Sequence, residues 1–352
     1  MSISNQSGVL KYSLLIVGII SLFLSFIFLF IFNNFFLFAL LLIIFIILLM
    51  YNFIKVSRKL YDAVGTRVML FVTISVIFLF FFLLIVLING SFSILGEESI
   101  SELIFSPTWK PFSGEFGLFA VIIDTLIVTA ISMMIAIPIS LFSAIYIAEY
   151  APKKFRSIVR PFIDVLAGVP SVVFGLCALL VFVPLVRDDI APFFGNTISS
   201  GFSVFTASLI LSIMVFPIII SLCLESFNAV PIALKEASLS LGATKWETVK
   251  KVIFRASGPG ILAAIFLGFG RAFGETIAVA MVIGNQELIP KSLFGPGQTL
   301  ASLIASNYTE VSSIPILASA LIFVALILFV VVLIFNLLGY LVLRRASKRW
   351  KY

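Results

Sequence analysis

The sequence predicts an all-α membrane protein, a polytopic bundle of about eight transmembrane helices. Three observations carry this. Of 352 residues, 62% are hydrophobic and 11% charged, where a soluble domain carries about 25% charged residues. The apolar residues gather in unbroken runs close to the roughly 20 residues that a helix needs to cross a ~30 Å hydrocarbon core, far too long for barrel strands. The basic residues are confined almost wholly to alternate loops, the asymmetry that orients helical membrane proteins.

The runs fall at about 12–32, 35–54, 68–88, 117–142, 162–184, 204–224, 259–283 and 314–341. The first exceeds the 7–15 apolar residues of a signal peptide, follows a single Lys11 and lacks a small-residue cleavage pattern, so it reads as retained. Asn33-Asn34 turns it into the second, which makes residues 1–60 an accessory transmembrane hairpin apart from residues 61–352. So short a turn also suits one broken or re-entrant element. With the N-terminus in the cytoplasm, Lys11, the loops 55–67, 149–161 and 225–257 and the C-terminal tail lie inside and hold nineteen of the 23 basic residues. Lys110, Arg187 and Lys291 stay outside, Arg271 sits in a span, and both termini are cytoplasmic. The net charge of +7 then reports topology and contact with anionic membrane lipid, without nucleic acid. The outer loops 89–116, 185–203 and 284–312 are acidic or rich in Gly and Pro. Their carboxylates, Glu97, Glu98, Glu102, Glu115, Asp188, Asp189, Glu287 and Glu310, offer either plain solvation or a surface for a soluble partner with basic patches.

The sequence argues against an enzyme. It contains no histidine, the commonest general base and metal ligand. Cys177 and Cys223 fall inside predicted spans without ligand spacing and read as small apolar residues, so no metal site and no cofactor are expected. No Gly-x-x-x-x-Gly-Lys-Ser/Thr run is present, which excludes ATP binding in the P-loop manner.

The polar residues of residues 268–276, Gly-Phe-Gly-Arg-Ala-Phe-Gly-Glu-Thr, stand inside an otherwise apolar run. A charge at membrane depth costs at least ~2.5–3.5 kcal/mol on insertion scales, so it faces protein or a water-filled path. Arg271 and Glu275 are four apart and, in one helix, share a face. They are candidates for handling a charged solute, with Thr276 beside them; a permanent ion pair joining helices is the bland reading. Gly270 and Gly274 form a Gly-x-x-x-Gly pair that Gly268 extends, a surface that another helix can approach closely.

Residues 231–257 predict a helix-turn-helix elbow on the basic face. Pro231 suits a first helical position, Leu234, Leu239 and Leu241 give an apolar side, and Gly242 ends the helix. Thr244 caps a second helix, with Glu247 completing a capping box and Trp246, Val249, Val252 and Ile253 forming its apolar face. Such an elbow suits either a groove in another protein or the membrane surface. Gly258-Pro259-Gly260 marks a break before the next span.

Within the elbow, Glu236-Ala237-Ser238 and Gly242 resemble the EAA loop of ABC importer permeases, with Ser238 as the third small residue and Val252, Phe254 and Arg255 departing from the usual Ile-x-Leu-Pro. Together with Leu241-Gly242-Ala243-Thr244-Lys245-Trp246-Glu247-Thr248, the 268–276 string, Val282-Ile283-Gly284-Asn285, Ser106-Pro107-Thr108-Trp109-Lys110-Pro111 and Ala148-Glu149-Tyr150-Ala151-Pro152, the pattern is similar to the phosphate-specific permeases of the PstC type over roughly 67–345. The resemblance implies a six-helix MetI-like core, to which the 1–60 hairpin is added, in an importer with a PstA-type permease, two ATP-binding subunits and an external phosphate-binding protein. It implies that Glu236, Ala237, Ser238, Gly242, Ala243, Thr244 and Trp246 couple to the ATPase and that phosphate passes Arg271. Another oxyanion such as sulfate or molybdate, or a proton-coupled transporter built on Arg271 and Glu275, stays open. Asp124 replaces a glycine of the pattern and either pairs with a basic residue or snorkels.

Overall fold

The computed structural model describes residues 58–196, 200–290, 292–311 and 314–349. The two spans predicted at 12–32 and 35–54 lie outside these residues. The chain divides into two compact units, Met1–Leu83 and Leu84–Tyr352. In the first, the described part is one helix, α1 (Arg58–Gly90), which continues into the second unit. Met69, Leu70, Phe78 and Phe81 on it are exposed, an apolar surface suited to lipid.

The second unit opens with two short helices, α2 (Phe92–Glu97) and α3 (Ile100–Phe105), and a two-stranded antiparallel hairpin, β1 (Trp109–Lys110) with β2 (Glu115–Phe116), turned at Gly114. These occupy the predicted outer loop 89–116. Ile94, Leu103, Trp109 and Phe116 bury a small core there with Leu300, Leu303 and Leu317, which is why an apparent loop is ordered.

The main bundle comprises α4 (Phe119–Tyr150), α5 (Lys153–Gly168), α6 (Ser171–Phe193), α7 (Val204–Asn228), the elbow helices α8 (Ile232–Ser240) and α9 (Lys245–Ala256), then α10 (Gly258–Gly274), α11 (Ile277–Ala280), α12 (Leu300–Val311) and α13 (Pro315–Arg349). Five helices among the described residues are long and apolar enough to cross a membrane, and six if the bent pair α9–α10 counts as one. Helix α7 is central. Ser203 caps it by accepting the Thr206 N–H, and two-thirds of its apolar stretch is buried against α4, α10 and neighbours. Pro138 and Pro217 stand inside α4 and α7, tolerated where neighbouring helices compensate the lost backbone bond.

Two predicted spans are corrected. The run 162–184 is divided by Gly168-Val169-Pro170, where Val169 is extended (φ −67°, ψ 131°) as a residue before proline prefers. The apolar helix therefore runs over Ser171–Phe193, and α5 precedes it as a separate amphipathic helix. The run 259–283 is likewise not one helix: α10 stops at Gly274 and α11 follows after Glu275-Thr276. The expected break at Gly258-Pro259-Gly260 is present as a 70° bend between α9 and α10.

Candidate functional site

The elbow forms from local signals. Gly242 ends the first helix with φ +82°, a left-handed conformation that favours glycine, and an added Cβ would meet nothing within 4 Å. Thr244 then caps α9 reciprocally with Glu247: the Glu247 N–H donates to Thr244 Oγ1 and the Thr244 N–H to Glu247 Oε2 at 2.9 Å. The Thr244 N–H and the Thr244 hydroxyl, both donating to Glu247 Oε2, hold the Glu247 carboxyl below the ordinary carboxylate range, with the Lys251 charge adding to them. The hydroxyls of Ser238 and Thr248 lie 2.9 Å apart and tie the two helices. The predicted apolar face of α9 divides: Val249 and Ile253 are buried, while Trp246 is half exposed. Glu236 and Ala237 are exposed, Ala243 is partly covered, and Leu241 is 89% exposed. A polar-faced bend thus presents bare leucine and tryptophan surface beyond the bundle, which is costly in water and apt for a partner.

Contacts at the C-terminal end of α4 are not legible in the sequence. Lys235 Nζ on α8 lies 2.5 Å from Glu149 Oε1, the Lys245 ammonium sits 4.7 Å from the Tyr150 ring centroid, and Arg156 donates to the Ala148 carbonyl. The only sequence signal is a carboxylate and an aromatic at the polar end of a long apolar run. It names no partner 86 residues away.

The residues 268–276 are rearranged relative to expectation. Arg271 and Glu275 do not share a helix face, because the helix ends at Gly274 and Glu275 is extended (φ −72°, ψ 123°). The Glu275 carboxylate turns inward, 8% exposed, and accepts the Ala278 N–H at 3.4 Å, serving the start of α11; Thr276 donates to the Gly274 carbonyl. Among the described residues Arg271 forms no ion pair with Glu275. Arg271 is exposed, on one open face of α10 with Ala263, Leu267, Gly270 and Gly274. The glycines also divide. A Cβ on Gly268 would come within 3.0–3.1 Å of Ile219 and Val215 of α7, whereas Gly270 and Gly274 meet nothing within 4 Å. Gly268 therefore packs α10 on its own chain, and the other two leave a bare seam beside the guanidinium.

At the opposite, acidic face, Asp124 is fully buried on α4; it does not snorkel, and among the described residues it pairs with no base. Its Oδ2 accepts the Gln298 N–H at 2.8 Å, and Thr125 Oγ1 accepts the Leu300 N–H at 2.9 Å, which satisfies donors at the start of α12. Nearby, Ser200, Phe202, Ala280, Met281, Gly284, Asn285, Gln286 and Pro296 line an open cavity of about 320 Å³. Asn285 bends there with φ +48°, its amide donating to the Ala280 carbonyl.

An apolar helical bundle with a capped elbow projecting at its basic face, and an arginine on an exposed helix seam, defines a multi-pass membrane component of a transport system. Residues 136–348 match the family described as "Binding-protein-dependent transport system inner membrane component", and the chain belongs to that family of ABC importer permeases. Similar proteins include the phosphate transport system permease protein PstC of Xylella fastidiosa (strain Temecula1), 35% identical over 76% of this chain and 88% of that one. The protein of the same description from Haemophilus influenzae is 34% identical, covering 83% and 98%. A probable PstC of Methanocaldococcus jannaschii is 34% identical, covering 80% and 93%. Among solved structures, a chain of a bacterial alginate ABC transporter aligns over 81% of this chain and 99% of its own, with TM-score 0.55 and 16% identity, a likeness of fold alone.

Proposed function

We propose that this chain is the membrane permease subunit of an ATP-driven importer of inorganic phosphate, with its basic face and both termini in the cytoplasm. The relatives described as phosphate transport permeases support the cargo, and nineteen basic residues on one side support the orientation. The observation that carries the mechanism is Arg271 on the open seam of α10. Phosphate must exchange its hydration during passage, and a planar guanidinium offers a charged, bidentate fork for its oxygens. With Glu275 engaged by α11, Arg271 need not surrender an internal partner to receive the anion. The seam at Gly270 and Gly274 suits close approach by a second, PstA-type permease, so that the path runs between the two subunits. The proton-coupled reading loses the Arg271–Glu275 pair on which it rested.

The elbow is the coupling element. Glu236, Ala237, Ser238, Gly242, Ala243, Thr244 and Trp246 seat in one of two ATP-binding subunits, with Leu241 as an apolar anchor, and closure of those subunits drives alternating access. An external phosphate-binding protein delivers cargo to the acidic face. Residues 1–60 are an accessory hairpin outside the transport core. The testing experiment is uptake of labelled phosphate against sulfate by the assembled complex in liposomes. ATP-dependent phosphate uptake that excess sulfate leaves intact supports the reading; preferential sulfate uptake replaces the cargo, and uptake that persists without ATP but collapses with the proton gradient overturns the class.

A further inference from the structure

Both helices of the elbow grip the same short stretch at the end of α4. Lys235 on α8 reaches Glu149 at 2.5 Å, and their side chains are only 22% and 13% exposed, so water and salt screen the pair less than a surface bridge. Lys245 on α9 lies over the Tyr150 ring, and the Ser238–Thr248 contact joins the two helices. The elbow is thus fastened to α4 as a unit. Helix α4 runs for 32 residues, about 48 Å at 1.5 Å per residue, with Pro138 inside it and a π-helical last turn, Tyr146–Tyr150, that carries Glu149. At its far end Asp124 and Thr125 hold the backbone of Gln298 and Leu300. One continuous helix therefore has polar fastenings to the elbow at one end and to the 297–300 turn at the other.

We propose that Lys235 and Glu149 are the positioning pair that delivers elbow movement to α4 and along it to the opposite face. This rests on the assignment of the elbow to the ATPase contact. A displacement of the elbow without the pair would be taken up by sliding at the helix end, since the remaining contacts there are a cation–π contact and apolar packing. With the pair intact, a push on α8 is a push on α4.

The test uses the assembled complex with its binding protein in liposomes, comparing oxyanion uptake with ATP hydrolysis in Glu149→Gln, Lys235→Gln and Lys235→Arg. In the two glutamine variants the ATPase is expected to stay bound and active while cargo moved per ATP falls about tenfold, and Lys235→Arg is expected to stay within about twofold of the unaltered complex. The proposal is overturned if the glutamine variants keep the unaltered ratio, if Lys235→Arg is as defective as Lys235→Gln, or if either glutamine variant sheds the ATPase, which would make the pair a brace for the elbow's shape. The ratio is measured with whichever oxyanion the unaltered complex transports. A wrong cargo assignment therefore shows in the unaltered complex, and a wrong role for the pair shows only in the variants.

Discussion

Asp124 on α4 accepts the backbone N–H of Gln298 at 2.8 Å from a position with no solvent exposure, 174 residues away in the chain. Gly297 packs against the same carboxylate so closely that no Cβ fits. The neighbouring Thr125 hydroxyl does for Leu300 what Asp124 does for Gln298. Together they order the turn into α12 and close the acidic end of the bundle.

Truncating that latch is expected to be destabilising without touching the seam of α10. Asp124→Ala or Thr125→Val leaves a buried N–H without an acceptor, at about 1–3 kcal/mol each. Thermal unfolding of the detergent-purified complex should shift down by several degrees in each. The double variant should lose less than the sum, because both residues serve one turn. An unchanged unfolding temperature in both single variants would show that the turn is held by something else.

Gly242 supplies the bend between α8 and α9 with φ +82°, and nothing lies within 4 Å of where a Cβ would stand. Gly242→Ala puts a side chain into open space but forces it into the left-handed region, costing roughly 1 kcal/mol. Gly242→Asp adds a charge at the tip beside the bare Leu241 surface. Both should insert normally into the membrane, with Gly242→Asp failing to retain the ATPase on affinity purification. Retention together with full ATP-driven uptake would remove the bend from the coupling role.

The elbow should also show an acid limit. The Glu247 carboxyl is held below its ordinary range chiefly by hydrogen bonds from Thr244, with Lys251 adding to them. A depressed folded value contributes stability that is fully present above the unfolded carboxylate value and is lost as pH falls through the folded one. Hydrogen exchange at the 245–249 amides should therefore accelerate, relative to its intrinsic pH dependence, as pH drops through and below the ordinary carboxylate range. Glu247→Gln should flatten that dependence. Parallel behaviour of the two proteins would show that the cap contributes nothing to helix order.

What was legible beforehand was local. The capping box at Thr244 and Glu247, the stop at Gly242 and the bend at Gly258-Pro259-Gly260 each depend on a few consecutive residues, and the structure contains all three. The failures are of two kinds. Helix ends inside apolar runs were missed because hydrophobicity marks residues that avoid water and not where a helix stops; Pro170 and Gly274-Glu275 decide that by backbone chemistry. Contacts between distant segments, Lys235 with Glu149 and Asp124 with Gln298, carry no spacing at all and arise only when the bundle brings α4 beside the elbow and the α12 turn. Arg271 was found because a charge in an apolar run is conspicuous, yet the assumption of an unbroken helix gave it the wrong neighbour.

The placement of Arg271 makes its substitution the sharpest test of the transport path. It is exposed on a seam with Leu267, Gly270 and Gly274 and forms no ion pair with Glu275. Its loss should therefore disturb folding little, while a guanidinium embedded in a permanent helix-joining pair would be missed in stability first. Arg271→Lys keeps the charge but replaces a planar fork by a single strongly hydrated ammonium. Losing one charge-assisted hydrogen bond of about 1.5–3 kcal/mol corresponds to roughly a ten- to hundredfold fall in the rate of anion passage. Uptake should fall by that factor at unchanged unfolding temperature, and Glu275→Gln should instead lower the unfolding temperature, since it weakens the acceptor serving the Ala278 N–H. Near-normal uptake in Arg271→Lys, or a drop in stability matching that of Glu275→Gln, would move Arg271 out of the path and into the packing between helices.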